Sequence, residues 1–539
     1  MTTGDAIVEA LIAHGVDTVF GIPGAHMYDF NDALARRSDA IRFIAARHEQ
    51  GAAYMAFGYA KSTGRVGVYT VVPGPGVLNS AAALCTAYGA TAPVLCITGN
   101  IMSHLIGRGR GQLHELPDQL ALLRGLTKWA ERIDHPTAAP YVMAEAFRQL
   151  ASGRIRPVAV EAPWDVFGQR ADIASPIRWE PIPAPVPDAR CISKAAALIA
   201  AAKRPLISVG AGALHAGEAV LRLAALLQAP VTAHRSGKGI VSDDSPYALD
   251  SVAAHEYWRE ADLLIGIGSR LELQHFRWRW LPHGVKIIRI DIDPTEMVRL
   301  KPDVGILADS AAGTVALCEA LEPSIGPRGA RSETFGALRE RARTRIQRLQ
   351  PQMGYIDAIR DVLPRDGFYV EEICQAGFTS RFGFPVYGPR RYVTCGYQDN
   401  LGFGFNTALG VKVANPSKAV VSICGDGGFL FGSQELATAV QERISVVTVV
   451  FNNRSYGNVR RDQAEQYQGR LLGADLVNPD FSKLAESFGA RGLRVESPAA
   501  LRDSLQRALD ADGPSVIEVP VERGAESSPW PLTLPPPHS

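Results

Sequence analysis

The chain has 539 residues, of which 46% are hydrophobic and 21% charged, with a formal net charge of +1 at pH 7. A chain of this length exceeds one hydrophobic core and implies roughly three or four domains at about 150 residues each. The composition is that of an ordinary soluble globular protein, and the charge balance gives no case for a nucleic-acid or membrane surface.

Seven cysteines are scattered without a CxxC pair, so neither a zinc site nor a disulfide framework is indicated. Cys85, Cys96 and Cys424 lie in apolar runs and read as reduced core residues. No apolar run approaches the ~18 residues of a membrane-spanning helix. The opening MTTGDAIVEALIAHG has the pattern of an amphipathic helix, not of a basic-then-apolar signal peptide. A cytoplasmic protein is expected.

In chain order, residues 1–170 form a first α/β unit. A helix over 4–14 leads to a strand at Thr18–Phe20 and the turn Gly21-Ile22-Pro23-Gly24. A helix over 29–37 precedes the strand Ile41–Ala46, which ends in Arg47-His48-Glu49-Gln50 before a small-residue helix from Gly51. Strand 66–72 meets Pro73-Gly74-Pro75-Gly76 and another helix, and strand 94–98 ends at Gly99. Such alternation means a parallel sheet with helices on both faces. Residues 171–188 are Pro-rich and aperiodic, an extended linker. A second α/β unit spans 189–322, with strands at 206–209, 230–233, 262–268 and 285–291. After a loose stretch from Glu322 to Glu333, a third unit runs from 335 to 523, its first strand expected at 368–373. The Pro-rich tail 524–539 is expected to be mobile or to wrap a neighbouring surface. The expected architecture is α/β in three domains, each a parallel sheet flanked by helices. The first and third units read as distant copies.

The densest chemistry lies between Ile423 and Gly457. The apolar run Ala419–Cys424 reads as a strand, and Gly425-Asp426-Gly427-Gly428 follows, where missing side chains let a bulky ligand approach. A helix carrying Leu436, Ala437 and Val440 leads to a second strand, Ser445–Phe451, ending at Asn452-Asn453. In an open α/β sheet, ligands sit at the carboxyl ends of strands. A hard divalent ion that keeps phosphate partners needs about one carboxylate and a few neutral oxygens. Asp426 offers the charge, Asn453 an amide oxygen, and a loop carbonyl such as that of Ser455 a third ligand. A helix N-terminus after Gly428 would favour a diphosphate.

The ordered whole, strand–GDG–helix–strand–NN, resembles the signature of thiamine-diphosphate enzymes. RHEQGAAYMAFGYAKSTGRVGV and VVPGPGVLNSAAALCTAY resemble the first domain of acetolactate-synthase-like members. DLLIGIGSRLE and IIRIDIDP resemble their middle domain, and YVTCGYQDNLGFGFNTALG the segment before GDG. The resemblance implies a thiamine-diphosphate-binding fold for the first and third domains and a Rossmann-like middle domain. It implies Mg²⁺ on Asp426, Asn453 and the carbonyl of Ser455. It assigns the cofactor to Gly425, Gly427, Gly428, Tyr456 and Gly457, with Gln375 at the diphosphate and Leu401 as the bulky residue beneath the bent cofactor. Pro23, Gly74 and Gly396 join the cofactor contacts.

Thiamine catalysis needs one carboxyl group beside N1′ of the aminopyrimidine. Glu49 is the candidate, placed at a strand end before a Gly- and Ala-rich helix whose tight, apolar surroundings favour a shared proton. Read without the resemblance, it is an ordinary acidic residue at a helix start. Because the family carries this Glu and the metal site on different subunits, a homodimer or homotetramer with sites between chains is implied.

Gly24-Ala25-His26 resembles the GAH of benzaldehyde-lyase-like members, which makes His26 a catalytic candidate. In 107–119, GRGRGQLHELPDQ, the residues Gln112, His114 and Glu115 compete for a place on the substrate cavity, with His114 taken as the catalytic candidate. Arg460-Arg461-Asp462 stands where biosynthetic acetolactate synthases carry a pocket-shaping Trp, so a more polar pocket is expected. In the middle unit Gly210-Ala211-Gly212 does not complete GxGxxG, since the third position is His215. FAD is therefore possible but not favoured, and the middle domain is expected to be structural. The expected activity is a decarboxylase/carboligase acting on a 2-oxo acid, the fragment left after loss of CO₂ adding to a second carbonyl or taking a proton. The alternative is an acyloin or 2-hydroxyacyl lyase working without decarboxylation. An NAD-dependent oxidoreductase is disfavoured by the incomplete glycine run, and a non-catalytic relative by Asp426, Asn453 and Glu49.

Overall fold

The computed structural model describes residues 1–278 and 280–534. Three six-stranded sheets follow one another along the chain, and every strand pair in them is parallel. The first holds β1 (Thr18–Gly21), β2 (Arg42–Ala45), β3 (Gly67–Val71), β4 (Val94–Asn100), β5 (Trp129–Arg132) and β6 (Val158–Pro163). The second holds β7 (Pro205–Val209), β8 (Val231–Ala233), β9 (Ala248–Leu249), β10 (Leu263–Ile267), β11 (Lys286–Asp291) and β12 (Val304–Leu307). The third holds β13 (Phe368–Val370), β14 (Tyr392–Val393), β15 (Val420–Gly425), β16 (Val447–Asn452), β17 (Arg491–Arg494) and β18 (Ser515–Pro520). Central strands such as β4 and β15 are buried along their whole length, as parallel sheets covered on both faces require.

The strand orders are informative. The first sheet runs β2-β1-β3-β4-β6-β5 and the third β14-β13-β15-β16-β18-β17, the same order in two separate stretches of chain. The middle sheet runs β12-β11-β10-β7-β8-β9, which is the Rossmann order with the switch between its first and fourth strands. In the outer sheets the order reverses between the first and third strands. A crevice therefore opens past the ends of β1 and β3 in one sheet and β13 and β15 in the other. Pro23, Gly74, Gln375 and Asp426 follow those strands directly.

The outer units are locked together by two crossing helices. Gly58 of helix Glu49–Thr63 lies against the carbonyl of Thr407, and Gly410 of helix Gly404–Ala414 against the carbonyl of Met55. The aromatic rings of Tyr54 and Phe57 meet Phe403 in the same core. This contact brings the start of the first helix, at Gly51, against Glu435 of the third unit.

The structure departs from the sequence expectations at three places. The helix expected from Gly51 begins at Glu49, because Nδ1 of His48 accepts from the amide of Gln50 at 3.1 Å and caps it. The strand expected to reach residue 373 ends at Val370. Beyond it, Glu371 turns to Arg381 and Tyr392, and Glu372 to the amides of Ile373 and Gly404. The helix expected after GDGG is broken into one turn at Asp426–Phe429, a 3₁₀ turn at Ser433–Glu435 and a short helix at Leu436–Gln441. Glycine at 427, 428 and 432 disfavours a continuous helix. The tail lies on its own chain as far as residue 534, with Trp530 packed on Phe378 and Phe382 at 5.0 and 6.2 Å. Residues 535–539 of that tail lie outside the described residues. Among the described residues no helix is long and apolar enough to cross a membrane.

Candidate functional site

The adjacent ends of β15 and β16 are in register, Gly425 opposite Phe451, so Asp426 and the Asn pair emerge side by side. Asp426 is only 3% exposed. Its Oδ1 accepts from the amide of Gly427 at 2.9 Å and its Oδ2 from Nδ2 of Asn478 at 2.7 Å, and the amides of Arg454 and Ser455 face it. Burial nonetheless pushes its carboxyl above the usual range. Arg454 adopts a left-handed φ of 54°, which turns the chain back so that the amide and hydroxyl of Ser455 reach Oδ1 of Asn453 at 2.9 and 3.0 Å. The structure thus brings Asp426, Asn453 and Ser455 together.

The cofactor candidates of the third unit gather around this set. Tyr456 lays its ring over Gly427, Gly457 stands against Asn453 and Gln375, and Gly425 against Cys374. Helices begin at Gln375 and at Gly457, so two positive helix starts converge here. These replace the N-terminus expected after Gly428, where the chain forms only one turn. Oε1 of Gln375 is buried without a partner. Leu401 is half-buried, not sealed in a core. Gly428 and the turn after Leu401 both rest on Glu372, which accepts from the amide of Gly404 at 2.8 Å and is pushed up to about 7 by burial. Gly396 stands apart from this group, against Ala90.

In the first unit, Glu49 is half-buried and accepts from Nδ2 of Asn79 at 3.0 Å. No hydrogen bond among the described residues joins it to Asp426, Asn453 or Ser455. Pro23 is exposed beyond β1. Gly74 has φ 61° and ψ −110°, and a side chain there would stand 2.5 Å from the carbonyl oxygen of His114, so only glycine fits. His26 is buried, not solvated; its ring lies 5.3 Å from that of His114 and 5.0 Å from Trp164. Both histidines have a buried, unpartnered Nδ1, and burial, then His114, pushes His26 below the usual imidazole range. Of the three competing loop residues, His114 faces this cluster. Gln112 is exposed, and Glu115 folds back onto the amide of Gln112 at 2.9 Å. Arg461 has a buried, unpartnered Nη1, whereas Arg460 pairs with Asp475 at 2.7 Å.

Several participants were missed from sequence. Gln119 accepts from the amide of Gly74 at 2.8 Å and donates to Glu161 and the carbonyl of Gly99. Asn478 orients Asp426, and Glu526 of the tail accepts from Nδ2 of Asn453. The last residue of the 107–119 loop was the available signal for Gln119; nothing local marks Asn478 or Glu526.

A separate cavity of about 970 Å³ opens between the three units. Gly210, Gly212, Gly268, Arg270, Asp291 and Asp309 line it from the middle unit, and Gly396 and Tyr397 from the third. Gly268 of a second loop packs against Gly210 and Gly212. The volume lies in the range of organic ligand sites.

The match to known proteins follows this division. Residues 1–122 match the family described as thiamine pyrophosphate enzyme, N-terminal TPP binding domain. Residues 192–317 match its central domain and residues 373–519 its C-terminal TPP binding domain. The chain belongs to the thiamine pyrophosphate enzymes. Within them it is 34% identical to a probable 2-ketoarginine decarboxylase of Pseudomonas aeruginosa, covering 96% of this chain and 94% of the relative. It is 34% identical to a probable acetolactate synthase large subunit of Methanocaldococcus jannaschii, covering 97% and 92%. It is 32% identical to a glyoxylate carboligase of Escherichia coli O157:H7, covering 97% and 93%. It is thus an enzyme of the acetolactate synthase, decarboxylase and carboligase group.

Proposed function

We propose that this enzyme decarboxylates a 2-oxo acid and joins the remaining fragment to a second carbonyl compound, with Mg²⁺ anchoring its cofactor. The observation that carries the reading is the buried set at the switch-point crevice of the third sheet. One carboxylate, Asp426, stands with the amide of Asn453 and the turn at Ser455. That donor set suits a hard cation that keeps phosphate oxygens as ligands. The unpartnered Oε1 of Gln375 and the converging helix starts suit a polar, anionic group beside it. Asp426, Asn453 and the carbonyl of Ser455 would hold Mg²⁺; Gln375, Gly425, Gly427, Gly428, Tyr456 and Gly457 would cradle the diphosphate.

Thiamine diphosphate supplies the electron sink for carbon–carbon chemistry when bound. Glu49 would hold and move a proton at N1′ of its pyrimidine. Among the described residues Glu49, Pro23 and Gly74 have no hydrogen bond to the metal set of their own chain, which suits a site shared between two copies. Exposed Leu78, Met102, Leu430 and Phe431 offer apolar surface for that assembly. His26 and His114, with unpartnered ring nitrogens, would donate to or accept from the substrate's oxygen. The names of the relatives favour oxo-acid substrates, since 2-ketoarginine and glyoxylate are both 2-oxo acids. A lyase acting without decarboxylation is the second reading, favoured by the His26–His114 pair and by the buried, unpartnered Nη1 of Arg461.

The test is direct. The purified enzyme with Mg²⁺ and thiamine diphosphate is offered pyruvate, glyoxylate, 2-ketoarginine and, separately, acyloins. Release of CO₂ with a ligated product supports the proposal, whereas CO₂ with only a free aldehyde supports the decarboxylation and removes the ligation. Cleavage of an acyloin with no CO₂ from any oxo acid supports the lyase reading and overturns the first.

A further inference from the structure

Glu435 is fully buried, 0% exposed, in the segment that begins with Asp426. Its carboxylate does not face the metal set. It reaches across to the first unit, where Oε1 accepts from the amides of Arg47 and His48 at 3.0 and 2.9 Å. Oε2 accepts from the amide of Arg47 at 3.1 Å and from the hydroxyl of Thr438 at 2.6 Å. The side chain of Arg47 adds a bond to Gln441 at 2.7 Å. No lysine or arginine among the described residues pairs with Glu435.

We propose that Glu435 is a positioning residue for Glu49, acting through the backbone of Arg47 and His48. The proposal rests on Glu49 being the proton-transfer group. Glu49 opens its helix, and the direction of its side chain follows from the backbone just before it. That side chain has one hydrogen-bond partner among the described residues, Asn79, which alone does not fix it. A carboxylate that takes two consecutive backbone amides makes charge-assisted bonds and holds both peptide planes. Mere docking of the two units does not need a buried, unpaired charge, since the apolar contact between helices Glu49–Thr63 and Gly404–Ala414 already supplies it.

Gly51 gives an independent sign of the same fit. A Cβ at that position would run into Oε1 of Glu435, so the helix start is bare where the carboxylate enters. One short segment thus presents Asp426 to the metal site of its own chain and Glu435 to the base of Glu49. A site shared between copies would couple each metal loop to the acid of the neighbouring site.

The experiment compares wild type with Glu435→Gln, Gly51→Ala and Glu49→Gln. Deuterium uptake of the apo protein is read by mass spectrometry over residues 45–54, cofactor affinity by calorimetry, and C2 proton exchange of bound cofactor by quenched NMR. Glutamine presents an NH₂ group to one of the two backbone donors, so uptake over 45–54 should rise without cofactor present. Affinity should stay close to wild type, because the third unit grips the diphosphate. C2 exchange should slow on the order of 10²-fold, the usual cost of misplacing a group by about 1 Å. Gly51→Ala should move every readout in the same direction, and it decides the matter if Glu435→Gln fails to fold. Wild-type C2 exchange in both variants, with slow exchange in Glu49→Gln, makes Glu435 a domain fastener and overturns the proposal. Wild-type exchange in Glu49→Gln itself refutes the reading of Glu49 and the proposal with it.

Discussion

Changing Asp426 to Asn keeps the shape of the metal site and removes its charge. In the chain alone that charge is opposed. Burial pushes the Asp426 carboxyl up, and the neighbouring Glu526 is pushed up to about 7 by burial and by Asp426. An uncharged isostere relieves this, but its NH₂ or oxygen mispairs with Gly427 or Asn478, at about 1 kcal/mol for one lost hydrogen bond. The two effects have opposite sign, so the apo variant should unfold within about 1 kcal/mol of wild type. Ligand changes the comparison. At 100 times its dissociation constant, cofactor with Mg²⁺ stabilises wild type by about 2.7 kcal/mol. For a unit of this size that is roughly a 5–10 °C rise in Tm. The Asn variant lacks the one anionic ligand of the set and should show almost none of that rise. Thermal denaturation with and without Mg²⁺ and thiamine diphosphate, at matched concentrations, measures both effects. A variant that retains the full ligand-induced rise would falsify the metal assignment.

Gly74→Ala places a methyl group against the carbonyl of His114 and forces a backbone open only to glycine. It should cost about 2–4 kcal/mol in urea unfolding, and wild-type stability would refute the strained turn. His255 stands among Trp278 and Trp280 with Nε2 unpartnered, and burial, then Arg259 and Arg345, push it down to about 4. The folded protein keeps it neutral while the unfolded chain takes up a proton below about pH 6.5. Stability is therefore complete above pH 6.5 and falls as the pH drops toward 4, by at most about 1.4 kcal/mol per pH unit from this group. His255→Phe should flatten that limb of the stability–pH curve, and an unchanged slope would show that other groups account for it.

The sequence alone was enough for the three α/β units and for the candidate set Asp426, Asn453 and Ser455. Apolar runs long enough to be buried strands mark themselves. A motif at a strand's carboxyl end inherits its location from the geometry of parallel sheets, with no need to know the neighbours. Glu49 stands four positions beyond the end of β2, and only the family resemblance singled it out from an ordinary acidic residue at a helix start. Within each unit, however, the order of strands depends on which apolar faces meet. The identity of β2-β1-β3-β4-β6-β5 with β14-β13-β15-β16-β18-β17 emerged only in three dimensions. The supporting residues were likewise decided by tertiary structure. Gln119 meets Gly74 across 45 positions, Asn478 meets Asp426 across 52, and Glu435 meets His48 across 387. His26 was a candidate from its GAH turn, but its neighbours His114 and Trp164 are set beside it only by packing. The helix expected after GDGG is broken at the glycines 427, 428 and 432, and Gly432 packs against Asn406, a neighbour the local pattern does not contain. Local sequence sets where a strand ends and what chemistry stands there. Which buried side chains satisfy that chemistry is settled by long-range packing, because a carboxylate or amide removed from water takes whatever partner the fold delivers.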